Sequence, residues 1–217
     1  ASSTLSSDFP IVNSLVQPLN NGEQDGVVIK MDLDLSQIQW STYWGGSSDD
    51  AIYSLAFDNE DNIYVSGGTS SDNLLTTAGA YKTAYQGGIA DAFITKFSND
   101  GSEVLKSTFF GTAEYDQSYF IELDNEGQVY IFGQSLDTND ILIDNADFNQ
   151  SKSGQFVAKL NDNLNSQSFS TLFGSGRSEI DIVPTAFLVD ACNRVYCSGW
   201  GGATNSIQNG GPGGHTA

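Results

Sequence analysis

Histidine occurs once in the 217 residues, as His215, and thiols occur twice, as Cys192 and Cys197. Nucleophilic catalysis of the Ser-His-Asp or Cys-His kind needs a base beside the nucleophile. Here it would have to draw on a histidine in the Gly-rich tail "GGPGGHTA", where a solvated loop residue is the simpler reading. "GSGRS" (174–178) lacks the Gly-x-Ser-x-Gly spacing of a nucleophile elbow, and the tail lacks the Lys and helix start of a phosphate loop. Two thiols and one imidazole do not complete a structural zinc site. The sequence therefore assigns no catalytic, cofactor-binding or metal-ligating residue.

Calcium is the best metal candidate, because hard cations take several oxygens on a sharply turned backbone. Acid- and amide-rich runs begin at Asp58, Asp124, Asp137 and Asn161. Hairpin turns select the same residue types for backbone reasons, and none of these runs matches a known calcium loop. The 27 acids also leave room for a carboxylate pair acting on a glycosidic bond, but nothing singles out a pair. Tyr43, Trp44, Phe109, Phe110 and Phe173 recur at strand positions and read as core. Trp200, Tyr81 and Tyr85 lie in or beside long loops, where binding tends to reside. Lys30, Lys96 and Lys159 recur at one place, and each is expected to lay its stem on the sheet with its head in water.

The elements that hold these residues come from a repeat. "DNEDNIYVSGG" from Asp58, "DNEGQVYIFGQ" from Asp124 and "DACNRVYCSGW" from Asp190 stand 66 residues apart. Leu55 and Phe57, Ile121 and Leu123, and Phe187 and Val189 precede the three copies at alternate positions, which marks a half-buried strand. A polar turn follows, then a second strand through Ile63, Val129 or Val195. Gly67, Gly133 and Gly199 close the copies, where a sharp bend or positive φ is expected. "DGVVIKMDLDL" from Asp25, "DAFITKFSNDG" from Asp91 and "GQFVAKLNDNL" from Gly154 supply a third strand. "STYWG", "STFFG" and "STLFG", from Ser41, Ser107 and Ser170, supply a fourth. Long loops, about 68–90 and 134–153, join the second strand to the third.

Four antiparallel strands per period predict an all-β chain of β-propeller blades. A string of sandwich domains would need about seven strands each. The expected division is 1–49 as the second half of a blade plus linker, 50–115 and 116–180 as full blades, and 181–217 as a first half with its loop. "ASSTLSSDFP" reads as the loop before a third strand, so twelve strands are expected, about three blades' worth cut out of phase. A closed propeller usually has four to eight blades. The expectation is a segment of a longer polypeptide, its open edges covered by further blades or by a protein partner.

With Cys192 and Asn193 forming the turn, Cys197 should face Leu188 and sit buried where Val65 and Ile131 sit, which disfavours a direct Cys192–Cys197 disulfide. The formal net charge of −19 makes nucleic acid and anionic membrane surfaces poor partners. No apolar run approaches a membrane span in length.

The stretch from Ser41 to Ser102 resembles the SBBP repeat, a β-propeller repeat of bacterial surface and secreted proteins. The resemblance rests on "STYWGG" (41–46), "DNEDNIYVSG" (58–67) and "DAFITK" (91–96). "DACNRVYCSGWGG" from Asp190 is similar to a run in large Bacteroidota surface proteins, many of which carry gliding-motility-associated or type IX secretion sorting domains. The resemblance implies an exported protein at the surface or outside of a Gram-negative cell. It would be an adhesin-like or interaction module, a type IX secretion cargo or an associated subunit, with a surface glycan as one candidate ligand. The family shares no catalytic residues to carry over. The alternative is a propeller enzyme acting on polysaccharide.

Overall fold

A computed structural model describes residues 2–201. The described residues form thirteen strands and four antiparallel sheets. β1 (Ser2–Thr4), β2 (Asp25–Met31) and β3 (Ile38–Trp44) make a three-stranded sheet in that order. β4 (Asp50–Phe57), β5 (Ile63–Thr69), β6 (Asp91–Phe97) and β7 (Val104–Phe110) make the second. β8 (Asp116–Leu123), β9 (Val129–Ser135), β10 (Gln155–Leu160) and β11 (Gln167–Phe173) make the third, and β12 (Val183–Val189) pairs with β13 (Val195–Trp200). Two complete four-stranded blades thus have strands that run from Asp50 to Phe110 and from Asp116 to Phe173.

Each blade opens on the same hairpin, and its leading aspartate explains why. Asp58 Oδ1 accepts the N–H groups of Glu60 and Asn62, both at 2.9 Å, while Asp58 N–H donates to the Asn62 carbonyl. Asp124 does the same for Glu126 and Gln128, and Asp190 for Cys192 and Arg194. The fourth loop residue takes positive φ in each copy: Asp61 (60°), Gly127 (78°) and Asn193 (60°), types that tolerate it. The turn therefore spans five residues, and this shifts the expected pairing. Cys197 stands opposite Phe187, not Leu188, which faces Tyr196.

The second strand of a full blade is buried on both faces, and its alternation sorts residues between neighbours. Ile63 and Val65 on β5 join Val28, Trp40 and Trp44 of the preceding sheet, whereas Tyr64 joins Ile121, Ile131 and Phe156 of the following one. On β9, Val129 and Ile131 face back, and Tyr130 and Phe132 face forward towards Phe187. Three apolar cores result, each made by two consecutive sheets. A single blade has no interior of its own, so each copy supplies the surface its neighbour needs.

The long loops cover the outer edges. Phe109 N–H donates to the Lys82 carbonyl (3.0 Å) and Tyr43 N–H to the Gln17 carbonyl (3.1 Å), so loop backbone occupies groups that an edge strand would expose. Two expectations need correction. Ser2–Thr4 is not loop: it pairs with β2 in the register that Gly67–Thr69 take against β6, which gives the thirteenth strand. Gly67, Gly133 and Gly199 neither bend the chain nor take positive φ, and the strands run on past them. A Cβ on Gly67 would stand 1.8 Å from the Ala51 carbonyl oxygen, and one on Gly133 2.0 Å from that of Gln117. Both neighbours belong to first strands that bulge at Tyr53 or Tyr119 and lean in on the glycine.

Candidate functional site

The polar chemistry collects where one blade hands over to the next. Asp25 begins β2 and Asp50 begins β4, and between them Gly45 follows β3. A Cβ on Gly45 would stand 2.4 Å from Asp25 Oδ1 and 2.7 Å from Asp50 Oδ2, so the glycine holds open the space the two carboxylates share. The arrangement recurs one period later: a Cβ on Gly111 would meet Asp116 Oδ2 at 2.9 Å and Asp91 Oδ1 at 3.0 Å. At the third junction a Cβ on Gly174 would meet Asp181 Oδ2 at 2.4 Å and the Gln155 amide oxygen at 2.9 Å.

Asp25, Asp91 and Asp116 are 0% exposed and Asp50 is 1% exposed. One oxygen of each is well used. Gln17 Nε2 (2.8 Å) and Asn21 N–H (2.7 Å) donate to Asp25 Oδ2, and Gly46 N–H and the Ser71 hydroxyl, both at 2.7 Å, donate to Asp50 Oδ2. Gln86 N–H (2.5 Å) serves Asp91, and Thr112 N–H (2.6 Å) and hydroxyl (2.8 Å) serve Asp116. The other oxygen, Oδ1 in all four, is buried with no hydrogen bond of acceptable geometry, as is Gln155 Oε1, although the hydroxyls of Thr69 and Ser135 stand close enough to lower Asp50 and Asp116. Burial pushes all four carboxyls above the usual carboxylate range, against the donors around them. Asp91 reaches about 7, raised by burial and further by the charge of Asp116.

The junctions differ in how their negative charge is balanced. Lys82 Nζ donates to the Gly111 carbonyl and attracts Asp91 and Asp116. Burial lowers the Lys82 pKa and those acids oppose the lowering. At the third junction a neutral amide replaces one acid, and Arg177 lies 3.7 Å from Asp181. At the first junction the residue that stands where Lys82 stands is Gln17. It occupies the same backbone position against the outer strand and carries no charge.

A second recurring cluster lies at the hairpins. Lys96 Nζ sits 2.8 Å from Asp58 and 4.9 Å from the centre of the Tyr64 ring; Lys159 sits 2.9 Å from Asp124 and 4.7 Å from Tyr130. These heads are paired and mostly covered, not in water as expected, while Lys30 reaches Asn99 on the next sheet. A groove of about 410 Å³ runs between two successive hairpins past Asp58, Glu60, Lys96, Asp124, Glu126 and Asp162. Burial raises Asp58 and Asp124, but the lysine and loop N–H bonds outweigh it and hold both below the ordinary range. That suits structural ion pairs and not proton donation to a leaving group. Both oxygens of Asp58 are already taken, so at this turn the backbone demand accounts for the acid.

Most other residues the sequence singles out are structural. Tyr43, Trp44, Phe109 and Phe110 are core, and Phe173 packs partly buried against Phe132. Tyr81 and Tyr85 are not open platforms: they lean on Phe110 and Phe109, at 6.3 and 6.0 Å between ring centres. Trp200 ends β13 opposite Val183. Both cysteines are free and exposed. The exposure of Cys197 departs from the expected burial, because β5 and β9 lie between two strands whereas β13 has only β12 beside it among the described residues. His215 and the Gly-rich tail lie outside the described residues. Sequence reasoning missed the junction aspartates, although Asp25 and Asp91, Gly45 and Gly111, and Asp50 and Asp116 each stand one 66-residue period apart.

Blades of four antiparallel strands, packed face to face through repeated cores, are the construction of a β-propeller. Residues 39–74 match SBBP, a β-propeller repeat. The matched stretch runs from β3 through Gly45, Asp50 and β5 into the loop as far as Leu74, so the SBBP repeat as matched spans a blade junction. No curated protein matches the chain.

Proposed function

We propose that this chain is a non-enzymatic scaffold or interaction module, and that the forward face of β13 and the edge that no described strand pairs are where it docks further blades of the same polypeptide or a protein partner. One observation carries the reading. Tyr64, Tyr130 and Tyr196 hold the same place in the repeat; the first two are 0% and 2% exposed beneath the following sheet, and Tyr196 is 51% exposed. Leu188 beside it is 53% exposed. A surface buried in two copies is built for burial in the third, since apolar area left in water costs about 25 cal/mol per Å².

The wider setting belongs to the same proposal: a large exported protein at the surface of a Gram-negative cell, adhesin-like or carried by a type IX secretion machine. The matched repeat and the charge of −19 support it, the latter because a strongly acidic surface keeps a protein soluble and apart from anionic membranes.

Tyr196 and Leu188, paired on the forward face of β13, report on the docking. Hydroxyl-radical labelling, located by peptide mass spectrometry, should modify both quickly in the isolated chain and slowly in the native protein from its source. Equally fast labelling in both would overturn the docking role of β13.

A further inference from the structure

We propose that the first junction, Asp25 with Asp50 around Gly45, is a binding site for a divalent hard cation of the calcium class. Three independent features meet there. The first is the pair of orphaned oxygens: Asp25 Oδ1 and Asp50 Oδ1 are buried without a hydrogen bond of acceptable geometry. A buried carboxylate oxygen left without a donor is costly unless something positive reaches it. The second is the space, since Gly45 leaves out the Cβ that would crowd Asp25 Oδ1 and Asp50 Oδ2.

The third is the charge balance across the repeat. The second junction has two acids and the Lys82 ammonium; the third has one acid, one amide and Arg177. The first has two acids and, among the described residues, no cation acts on either: burial and hydrogen-bond donors act on Asp25, and burial, donors and the charge of Asp25 act on Asp50. Two buried like charges favour either a shared proton or a bound cation, and a divalent ion cancels both charges. Two cavities flank the junction. A cavity of about 210 Å³ borders Asp50, Thr69 and Gln24, and another of about 220 Å³ borders Gly45, Gln17 and Asn21. Among the described residues no group of three or more His, Cys, Asp or Glu side chains could hold a metal. The remaining ligands are therefore carbonyl or amide oxygens and water, which calcium accepts and a soft metal would not.

The test is calcium titration of the chelator-stripped chain by calorimetry, with chloride as the only added anion. One equivalent should bind per chain, and Asp25→Asn and Asp50→Asn should each reduce that to none. Lys82→Gln keeps the first junction intact and gives the second the same charge pattern, so it should raise the count from one to two, and it answers even if an Asn variant fails to fold. The proposal is overturned by no saturable binding in the unaltered chain, by binding that survives both Asn substitutions (which would put calcium on the surface turns), or by a Lys82→Gln count that stays at one.

Discussion

Lys159 Nζ lies 2.9 Å from Asp124 Oδ2 and 4.7 Å from the centre of the Tyr130 ring, and Lys96, Asp58 and Tyr64 repeat that triangle one blade earlier. In both, the hairpin aspartate first organises its own turn and then anchors a lysine from the third strand. The contact ties the first hairpin of a blade to its centre.

Replacing Lys159 with Met should therefore cost about 1–3 kcal/mol in urea unfolding, since Asp124 keeps its two loop N–H donors but loses its ion partner. The contribution follows the carboxylate. Because the folded Asp124 pKa lies below its ordinary value, the stabilisation is present at neutral pH and lost as pH falls below about 4. The gap between the two proteins should close in that range.

Asp91 gives the opposite pH dependence. Burial, more than the neighbouring Asp116, raises it to about 7, so the folded state holds its proton more tightly than the unfolded chain does. Its contribution is full below about pH 4 and declines as pH rises towards about 7. Asp91→Asn should be more stable than the parent at pH 8 and should show a flatter stability profile between pH 5 and pH 8. A profile unchanged by the substitution would count against the burial of this carboxyl.

Gly67→Ala and Gly133→Ala should each destabilise by about 1–3 kcal/mol or more, because the added methyl would meet a backbone carbonyl that cannot rotate away. Gly127→Ala is the control. Its Cβ has open space, so any loss there comes from φ alone and should be near 1 kcal/mol.

The two cysteines should titrate as two free thiols in the folded chain, with no mass loss on mild oxidation at low protein concentration. Cys192 sits in the hairpin loop and Cys197 opposite Phe187, and both are exposed and unbridged.

Much of the architecture was legible because the repeat is a physical requirement. Leu55, Ile121 and Phe187 announced the first strand, the Asp-led loops announced the turns, and four strands per period followed. The junction site was less legible. Asp25 and Asp50 are 25 residues apart and on different sheets, so nothing local says that they face each other. The glycines misled for a related reason. Gly67 looks like a bend, but its role is set by a carbonyl from the adjacent strand, which spacing alone does not show. Cys197 looked buried because its counterparts Val65 and Ile131 are, yet burial there depends on strands beside it and not on the residue.

The central claim is that each blade is held by its neighbours, and that the forward face of β13, proposed as a docking surface, has no described sheet packed on it. Amide hydrogen exchange on the isolated chain tests this most directly. The account predicts the slowest exchange at β5 and β9, which lie inside both their sheets and two cores, and much faster exchange across β13. Protection of β13 equal to that of β5 and β9 would contradict it.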